Sequence, residues 1–557
     1  MAQFIFLHAK GMKGFASLVL ALVLSAGALA QERPVRPLDV PMSFSGTYGE
    51  LRHDHFHGGL DWRVGGQVGD PIHAIKSGYI SRVSVSPWGY GNGIYISHPD
   101  GTMSVYGHLL AFREDIAERV EAAQYEQESF TVNLTFGPED FPVRQGDIIG
   151  QVGNTGSSAG PHLHMEIRDA EKDIPLNYIA LGCYTPLDKS APQFHRVCFY
   201  GLDDSPISEV WRVHNLTRPT EVRDTLALPA RSYVAVDATD RQEGTGAKLA
   251  VEEYRVLLDD TLAFSFKVGD IGFEEGRYIK SLIQFGESRR GGRDLVKSRV
   301  DPNNLLASHI VSRNNGILEL RDDAVHTVRI EALDEHGNRA AVRYRVRRDD
   351  SLQAPQADSS LTRLPWLWYT QNVVNDSTMT YMLPAGALYN NINVTYRCIG
   401  GPDPAIGIWS DIWEVGDPDI PLQLPGALEI AADIPEELEG KAYMANYGPT
   451  LSYTGVNVRF GAYCVAVDTA APTIRFLERK GDIVNGSTIR IRVRDDASGV
   501  ESTRVEIDGN WYLSMYKRDI ISLELKEDRL APGKHTIRIT ATDRCGNESH
   551  ETREFTF

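Results

Sequence analysis

The stretch Gly160-Pro161-His162-Leu163-His164-Met165-Glu166-Ile167-Arg168 alternates between polar and apolar side chains. In a β-strand, side chains two positions apart lie on the same face. The apolar set can therefore enter a core while both histidines point together into a polar groove. Two such imidazoles can bind a metal, or one can bind it while the other transfers a proton. The alternative is a half-buried strand with two surface histidines, because a His-x-His pair also arises by chance.

A histidine and a carboxylate well upstream favour the metal interpretation. His57 and Asp61 flank Gly58-Gly59-Leu60, and the glycines argue against a regular helix. In an extended chain, His57 and Asp61 would lie on the same side. One histidine from the later strand would complete a set of two nitrogens and one carboxylate, which suits zinc. Three protein ligands leave a fourth position for water, as in catalytic zinc sites.

Composition limits the class of protein. The chain has 557 residues, enough for several domains of ~100–200 residues each. Its 42% hydrophobic and 24% charged residues are ordinary for globular proteins. The net charge of −18 argues against nucleic acid as a partner, because such binding depends mainly on Lys and Arg.

The N-terminus predicts a cleaved signal peptide over residues 1–30. Lys10 and Lys13 precede an apolar run from Phe15 to Leu24, and Ala28-Leu29-Ala30 matches a cleavage site. The run is shorter than the ~20 residues that a spanning helix needs, and no later segment in the mature chain is long and apolar enough. We therefore expect export to the periplasm, the cell surface or the medium.

The chain contains five cysteines. Export permits disulfides, but an odd count leaves at least one thiol unpaired. By proximity in the sequence alone, Cys183 could pair with Cys198, and Cys398 with Cys464. None of the five has the paired spacing of a metal site.

The pattern predicts a mainly β protein that begins with one antiparallel β domain over residues 40–186. Two alternating segments at 94–98 and 102–108 flank Pro99-Asp100-Gly101, which predicts a hairpin. Residues 112 to about 128 predict a charged helix, followed by a strand at 130–136. This short helical insertion interrupts an otherwise all-β pattern.

The rest of the chain is also β-rich, and it repeats. An alternating strand at 326–330 leads to Asp334-Glu335-His336-Gly337-Asn338, and another at 535–539 leads to Asp543-Arg544-Cys545-Gly546-Asn547. Short alternating strands with frequent turns are typical of immunoglobulin-like β-sandwiches. We expect such domains at 187–350 and 469–557. The β-rich segment 351–468 has a fold that the sequence does not assign.

An ordered series of short motifs spans roughly residues 45–180. Together they resemble the lysostaphin-type zinc endopeptidases (the LytM peptidase family), which cut peptide crosslinks in bacterial cell walls. The motifs are Tyr48-Gly49 with Arg52, His57…Asp61, Tyr90-Gly91-Asn92, His98-Pro99-Asp100-Gly101, Tyr106-Gly107-His108-Leu109, Gly146-Asp147-Ile148-Ile149-Gly150, Gly153-Asn154-Thr155-Gly156 and the stretch from Gly160 to Glu166.

The resemblance implies that His57, Asp61 and His164 hold one zinc ion per chain. It implies that His108 and His162 are catalytic histidines that do not bind the metal. An imidazole titrating near neutrality can serve as general base for a water activated by the metal. The expected substrate is the peptide stem of peptidoglycan, with a direct D,D crosslink expected over a glycine bridge.

Three features depart from the family pattern. His53 and His55 lie beside His57, but only His57 has an aspartate four residues on, so we expect the other two in a solvated loop. We expect His98, at a hairpin end, to be structural. The insertion at about 112–141 is either a surface decoration or a wall or lid of the substrate groove. The following β modules could be spacers, recognition modules or covers.

Three hypotheses follow. The first is an active zinc endopeptidase acting on peptidoglycan. The second is a non-catalytic protein that binds the wall or regulates hydrolases while keeping the fold and metal site. The third is a metal-binding β adhesin that uses the histidine cluster and the sandwich modules. The presence of all five His and Asp positions favours the enzyme.

Overall fold

The computed structural model describes residues 32–52, 54–184, 188–243, 247–356, 358–455, 457–477 and 488–557. The predicted signal peptide and His53 lie outside these residues. No helix in the described ranges is both long and apolar enough to cross a bilayer. All five cysteines are free thiols, so neither pair suggested by sequence proximity forms.

A nine-stranded sheet and a three-stranded sheet form the first β domain. Its helix α1 is Glu114–Glu126. Its strands are β1 (Phe44–Gly46), β2 (Leu60–Arg63), β3 (Pro71–His73), β4 (Gly78–Val85), β5 (Asn92–Ser97), β6 (Thr102–Gly107), β7 (Ala111–Phe112), β8 (Val132–Thr135), β9 (Pro142–Val143), β10 (Ile148–Gln151), β11 (His162–Asp169) and β12 (Ile174–Pro175).

Strand β11 lies between β2 and β6 in the larger sheet, and both pairings are antiparallel. Leu163 and Met165 are fully buried, as the alternation predicts. The opposite face of β11, which carries the histidines, was predicted to line a polar groove, and only part of it does. Glu166 and Arg168 are also buried, so this face opens as a groove only at its histidine end.

Helix α1 and the strand after it confirm the predicted helical insertion. Ile116, Val120 and Ala123 recur at helical spacing and are buried. Glu114 and Asp115 lie in the first turn, where negative charge is favourable to the helix dipole.

Two six-stranded sheets enclose one hydrophobic core in the next β-sandwich, which we call the second module. Three short helices, which the sequence did not predict, follow β19: α2 (Phe273–Gly276), α3 (Ile279–Leu282) and α4 (Phe285–Arg289). The strands are β13 (Gln193–Leu202), β14 (Val210–Leu216), β15 (Thr225–Leu228), β16 (Arg231–Arg241), β17 (Lys248–Leu249), β18 (Glu253–Leu258), β19 (Thr261–Lys267), β20 (Val296–Lys297), β21 (Ile310–Ser312), β22 (Leu318–Glu319), β23 (Val325–Leu333) and β24 (Arg339–Arg348).

Residues 362–467, which we call the third module, form a six-stranded and a three-stranded sheet around a separate core. The strands are β25 (Thr362–Trp366), β26 (Asn372–Asn375), β27 (Met379–Leu383), β28 (Ile392–Gly400), β29 (Ile412–Val415), β30 (Ala427–Ile430), β31 (Ala442–Asn446), β32 (Ser452–Tyr453) and β33 (Gly461–Val467). The structure thus shows how the strands of segment 351–468 are arranged, which the sequence did not predict.

Two four-stranded sheets form the C-terminal module. The strands are β34 (Thr473–Phe476), β35 (Thr488–Arg494), β36 (Val500–Ile507), β37 (Asn510–Trp511), β38 (Met515–Lys517), β39 (Ile520–Glu524), β40 (Lys534–Asp543) and β41 (Glu548–Thr556). The predicted repeat is visible in two hairpins, β23–β24 and β40–β41. In each turn the aspartate, Asp334 or Asp543, accepts hydrogen bonds from the backbone amides two and four residues later, at 2.8–2.9 Å.

The first β domain and the second module share one core. Tyr48 and Phe56 belong to the same buried cluster as Phe266 and Ile271 of the second module. The Tyr48 hydroxyl donates to the Pro175 carbonyl at 2.9 Å and accepts from the Ile271 amide at 2.9 Å. A buried apolar interface of this kind holds the second module against the domain that carries the histidines.

The C-terminal module packs on the helical insertion. Lys526 and Arg529 form ion pairs with Glu121 of α1 at 2.7 and 3.2 Å, and the rings of Tyr125 and Trp511 meet edge to face. The insertion is therefore neither an isolated surface decoration nor, in the described residues, a wall of the groove that holds the histidines. It supports the last module.

Candidate metal centre and active-site groove

The structure brings His57, Asp61 and His164 together. His57 Nε2 lies 3.0 Å from Asp61 Oδ1 and 3.1 Å from His164 Nδ1, and His164 Nδ1 lies 2.9 Å from Asp61 Oδ1. All three side chains are buried. The second carboxylate oxygen of Asp61 accepts a hydrogen bond from Arg52 at 3.2 Å. The register explains the meeting, since Asp61 pairs with His164 across β2 and β11.

The outward nitrogen of each of these imidazoles has a hydrogen-bond acceptor. His57 Nδ1 donates to the Thr47 carbonyl at 2.9 Å, and His164 Nε2 donates to Glu166 Oε1 at 2.7 Å. These bonds assign the tautomers and leave a lone pair on each inward nitrogen. Partners of this kind hold metal-binding histidines in many proteins.

Glu166 is a functional candidate that sequence reasoning missed. Tyr90 donates to its Oε1 at 2.5 Å, and Arg168 donates to its Oε2 at 2.7 Å. Burial raises the pKa of Glu166, but the contacts with His164 and Arg168 outweigh it and hold the pKa at about 2. The carboxylate is therefore charged at neutral pH. The alternation that places His162 and His164 on one face also places Glu166 there, so the signal was present.

The donor set fits a zinc-type ion. Zinc bonds to nitrogen and oxygen of about 2.0–2.2 Å in a tetrahedron separate neighbouring donors by about 3.3 Å, close to the spacing observed here. Burial lowers the pKa of His57, which favours the neutral ligand form. Burial also lowers the pKa of His164, but hydrogen bonds with Asp61 and Glu166 outweigh it and raise the pKa to about 9. A metal entering this site would displace that proton.

His108 and His162 lie beside this cluster as a second pair. Their ring centroids are 4.8 Å apart. His162 Nδ1 donates to the Gly160 carbonyl at 2.8 Å, and its Nε2 lies 3.5 Å from Asp61 Oδ1. His108 Nδ1 donates to the Thr155 carbonyl at 2.9 Å. In both rings Nδ1 is therefore occupied, and Nε2 is the nitrogen that can accept a proton.

His108 adopts a backbone conformation that few residues with a side chain adopt. Its φ is 66°, in the left-handed region. Its amide donates to the Tyr90 carbonyl at 2.7 Å. Burial, followed by the nearby His164 and His162, lowers its pKa to about 4. His108 is therefore a neutral imidazole at pH 7, and its strained backbone conformation is of a kind common at functional sites.

The remaining histidines near the motif have other surroundings. The His55 side chain is 62% exposed and pairs with Asp54 at 2.7 Å. His98 is buried, and its two nitrogens lie 2.9 Å from the Ser77 carbonyl and the Ser104 hydroxyl. His98 thus has both ring nitrogens occupied away from the groove.

Comparison with known families identifies this domain. The model of Peptidase family M23 matches residues 55–125 and 134–176. The chain contains an M23 peptidase domain. The resemblance to lysostaphin-type peptidases is thereby confirmed. A second model, the Zu5-like domain, matches residues 365–468 of the third module.

Individual relatives agree with this family. The DD-carboxypeptidase/endopeptidase Mpg of Neisseria meningitidis serogroup B is 32% identical over 130 residues, which cover 23% of this chain and 24% of Mpg. Lysostaphin of Staphylococcus simulans is 31% identical over 111 residues, covering 20% and 17% of the two chains. The crystallised lysostaphin catalytic domain is 28% identical, covering 23% of this chain and 77% of that domain, with a TM-score of 0.17. The chain thus spans less than a quarter of the length of these full-length relatives.

The M23 domain does not form the groove alone. The groove has a volume of about 980 Å³, and Ile271, Gly272, Phe273 and Gly276 of the second module line it together with the histidines. The Phe273 ring is 51% exposed and lies under the guanidinium of Arg168, 4.7 Å away. One wall of the groove therefore comes from the second module.

The C-terminal module reaches the opposite rim. Lys517 donates to the Gly156 carbonyl at 2.6 Å and lies 5.3 Å from the centre of the Trp88 ring. Gly156 belongs to the loop before β11, and the next residues of that loop line the groove. Two modules thus contact the borders of the M23 site.

Proposed function

We propose that this chain is an exported, zinc-dependent endopeptidase that hydrolyses peptide crosslinks of bacterial peptidoglycan. The observation that carries the proposal is the convergence of His57, Asp61 and His164 inside an M23 domain, with the outward side of each ligand held by a hydrogen bond. The name of the Mpg relative, a DD-carboxypeptidase/endopeptidase, supports a peptide substrate of the kind found in these crosslinks.

In this proposal, His57 Nε2, Asp61 Oδ1 and His164 Nδ1 hold the metal. Zinc would supply Lewis-acid activation of water and of the scissile carbonyl. Glu166 keeps His164 in the tautomer that leaves Nδ1 free, and it neutralises charge that builds up on that ring. Arg52 fixes the carboxylate of Asp61.

His162 and His108 handle protons. The Nε2 of His162 lies beside Asp61, so this imidazole can accept the proton of the attacking water and return it to the leaving amine. The neutral His108 ring is next to it, with its Nε2 lone pair free to accept a hydrogen bond from the attacking water or from His162 once that ring is protonated. These five filled positions favour the enzyme over a non-catalytic wall-binding protein.

Export through a cleaved signal peptide is part of the proposal, because the crosslinks lie outside the cytoplasm. Its support is the sequence of residues 1–30, with its basic start, apolar run and small-residue cleavage site. The bond we expect to be cut is a direct D,D crosslink, for which the name of the Mpg relative gives support.

Mass spectrometry of muropeptides released from purified sacculi tests this function. Zinc-supplied protein should convert crosslinked dimers into monomers, and a chelator should stop the reaction. The His162→Ala variant is the matched control, since it should keep the metal and lose the activity. Dimers that persist with zinc-loaded wild-type protein would refute the proposal, and the position of the new termini would identify the bond.

A further inference from the structure

A second buried cluster of acidic side chains lies at one end of the second module. Asp188 precedes β13, Asp240 is near the end of β16, and Asp334 and His336 lie in the β23–β24 turn. Ligand atoms of Asp188, Asp334 and His336 all lie within 4.8 Å of one another. Two positions after Asp240, Gln242 donates to the Met42 carbonyl of the M23 domain at 2.9 Å. The cluster therefore adjoins the interface of the two domains.

Several buried side-chain oxygen and nitrogen atoms of this cluster have no hydrogen-bond partner within the described part of the chain. They are Asp188 Oδ2, Asp240 Oδ1 and both ring nitrogens of His336, all inaccessible to solvent. The Asp240 residue is only 3% exposed, and its carboxylate interacts directly with that of Asp188. Buried carboxylates ordinarily have a hydrogen-bond donor or a cation between them.

The surrounding charge is also negative. Burial, with Asp188 and Asp334 nearby, raises the pKa of Asp240 to about 8. Burial, with Glu252 and Asp240 nearby, raises the pKa of Glu335 to about 8. Lys267 lies 3.6 Å from Glu252, at the edge of the cluster. A cation bound among Asp188, Asp240, Asp334 and Glu335 would favour their ionised forms.

The C-terminal module contains three corresponding aspartates. Asp468, Asp495 and Asp543 correspond in position to Asp188, Asp240 and Asp334 and also cluster. Their carboxylates accept backbone amide hydrogen bonds of 2.6–3.1 Å, two of them to each aspartate. In these bonds the two clusters differ only at the first two positions, since Asp334 accepts the same pair of backbone amides as Asp543.

The sequence around the repeated turn differs in charge. The turn of the second module carries Glu335 and His336, where the C-terminal module has Arg544 and Cys545. Arg544 forms an ion pair with Glu501 at 3.3 Å and donates to the Ser498 carbonyl at 3.0 Å. Each aspartate of the C-terminal cluster thus has two backbone donors, and its turn lacks the Glu335–His336 pair, so it serves as an internal control.

We propose that the cluster of the second module binds a calcium ion through carboxylate oxygens of Asp188, Asp240, Asp334 and Glu335. Calcium prefers several oxygen ligands, carboxylates above all, and tolerates irregular geometry. The ion would join Asp188, which follows the M23 domain in the chain, to two strand ends of the second module. It would thereby stabilise the module that supplies the Phe273 wall.

Isothermal titration of calcium chloride into the zinc-loaded, calcium-free full chain tests this site. Wild-type protein should bind calcium, and Asp240→Asn should weaken the affinity at least ten-fold. Without calcium, Asp240→Asn should melt at about the same temperature as wild type, because the amide replaces a carboxyl group that is already protonated at neutral pH. The matched variant Asp495→Asn, at the corresponding position of the C-terminal module, should bind calcium like wild type.

Glu335→Gln provides a second variant if Asp240→Asn does not fold, and it should also weaken calcium binding. No calcium binding by wild type up to millimolar concentration would overturn the proposal and indicate a shared proton between Asp188 and Asp240. Binding of zinc or manganese in place of calcium, abolished by His336→Ala, would overturn it in favour of a transition-metal site. Unchanged calcium affinity in both acidic variants would also overturn it.

Discussion

The groove holds two pairs of histidines that are similar in type and differ in setting. In His57 and His164, the free nitrogens face each other and Asp61. In His108 and His162, a backbone carbonyl occupies Nδ1 and leaves Nε2 beside the first cluster. In the proposed mechanism, the partner of one ring nitrogen sets the direction of the other, free nitrogen. That direction would decide whether a histidine binds the metal or acts as a base.

The largest expected effect comes from removing a proposed ligand. His164→Ala should lose stoichiometric zinc and reduce sacculus hydrolysis by more than about 100-fold, because several kcal/mol of metal catalysis disappear. Elemental analysis and muropeptide release measure the two results. His55→Ala, which alters an exposed histidine near the groove, is the control and should keep both properties. A His164→Ala protein with full zinc content would break the distinction between the pairs.

The second-largest effect is a loss of hydrolysis without a loss of zinc. His162→Ala should keep zinc while hydrolysis falls about 10²–10⁴-fold, the usual contribution of a general acid–base residue. Parallel zinc and activity measurements on one preparation test this. Hydrolysis at the wild-type rate would show that His162 is not the proton carrier.

A third, smaller effect concerns the residue that orients a ligand. Glu166→Gln keeps the size of the side chain but removes its charge, so zinc affinity should fall about 10–100-fold. Competition with a chromogenic chelator gives the zinc affinity. Thermal unfolding checks that the variant stays folded although its contacts with Arg168 and Tyr90 are altered. Unchanged zinc affinity in a folded variant would assign Glu166 a purely structural role.

The smallest effect lies outside the M23 domain. Phe273→Ala removes a half-exposed apolar ring from the groove wall and should raise KM up to about five-fold with kcat and zinc content unchanged. Substrate contact with about 40 Å² of that ring would contribute about 1 kcal/mol to binding. Steady-state kinetics on a soluble crosslinked muropeptide measures this. Ile406→Ala, an exposed apolar residue in the third module, is the control. A lower kcat instead would place Phe273 closer to the reaction than a wall.

Much of the M23 domain could be predicted because its signals are local. The alternation at 162–168 predicted a strand with a buried apolar face, and the Pro-Asp-Gly segment predicted the β5–β6 hairpin. The separation of ligands from bases came from the family resemblance, since spacing alone does not distinguish His162 from His164. The hydrogen bond between His164 and Glu166 could have been expected from the same alternation, because the two side chains lie on one face of the strand.

Other features depend on contacts between distant segments, which local patterns do not encode. Phe273 reaches the groove from a module whose strands begin after residue 190, and the helical insertion serves a module that begins beyond residue 470. Sequence proximity also failed for cysteines, since Cys183 and Cys198 lie in different cores and remain free. The domain boundaries at 186, 350 and 468 stay predictions.

The central claim is that His57, Asp61 and His164 hold one zinc ion while His108 and His162 do not. Anomalous scattering at the zinc absorption edge, from crystals of zinc-supplied protein, tests it most directly. We expect a zinc peak about 2.0–2.2 Å from His57 Nε2, Asp61 Oδ1 and His164 Nδ1. A zinc peak bonded to His108 or His162, or none within the groove, would contradict it.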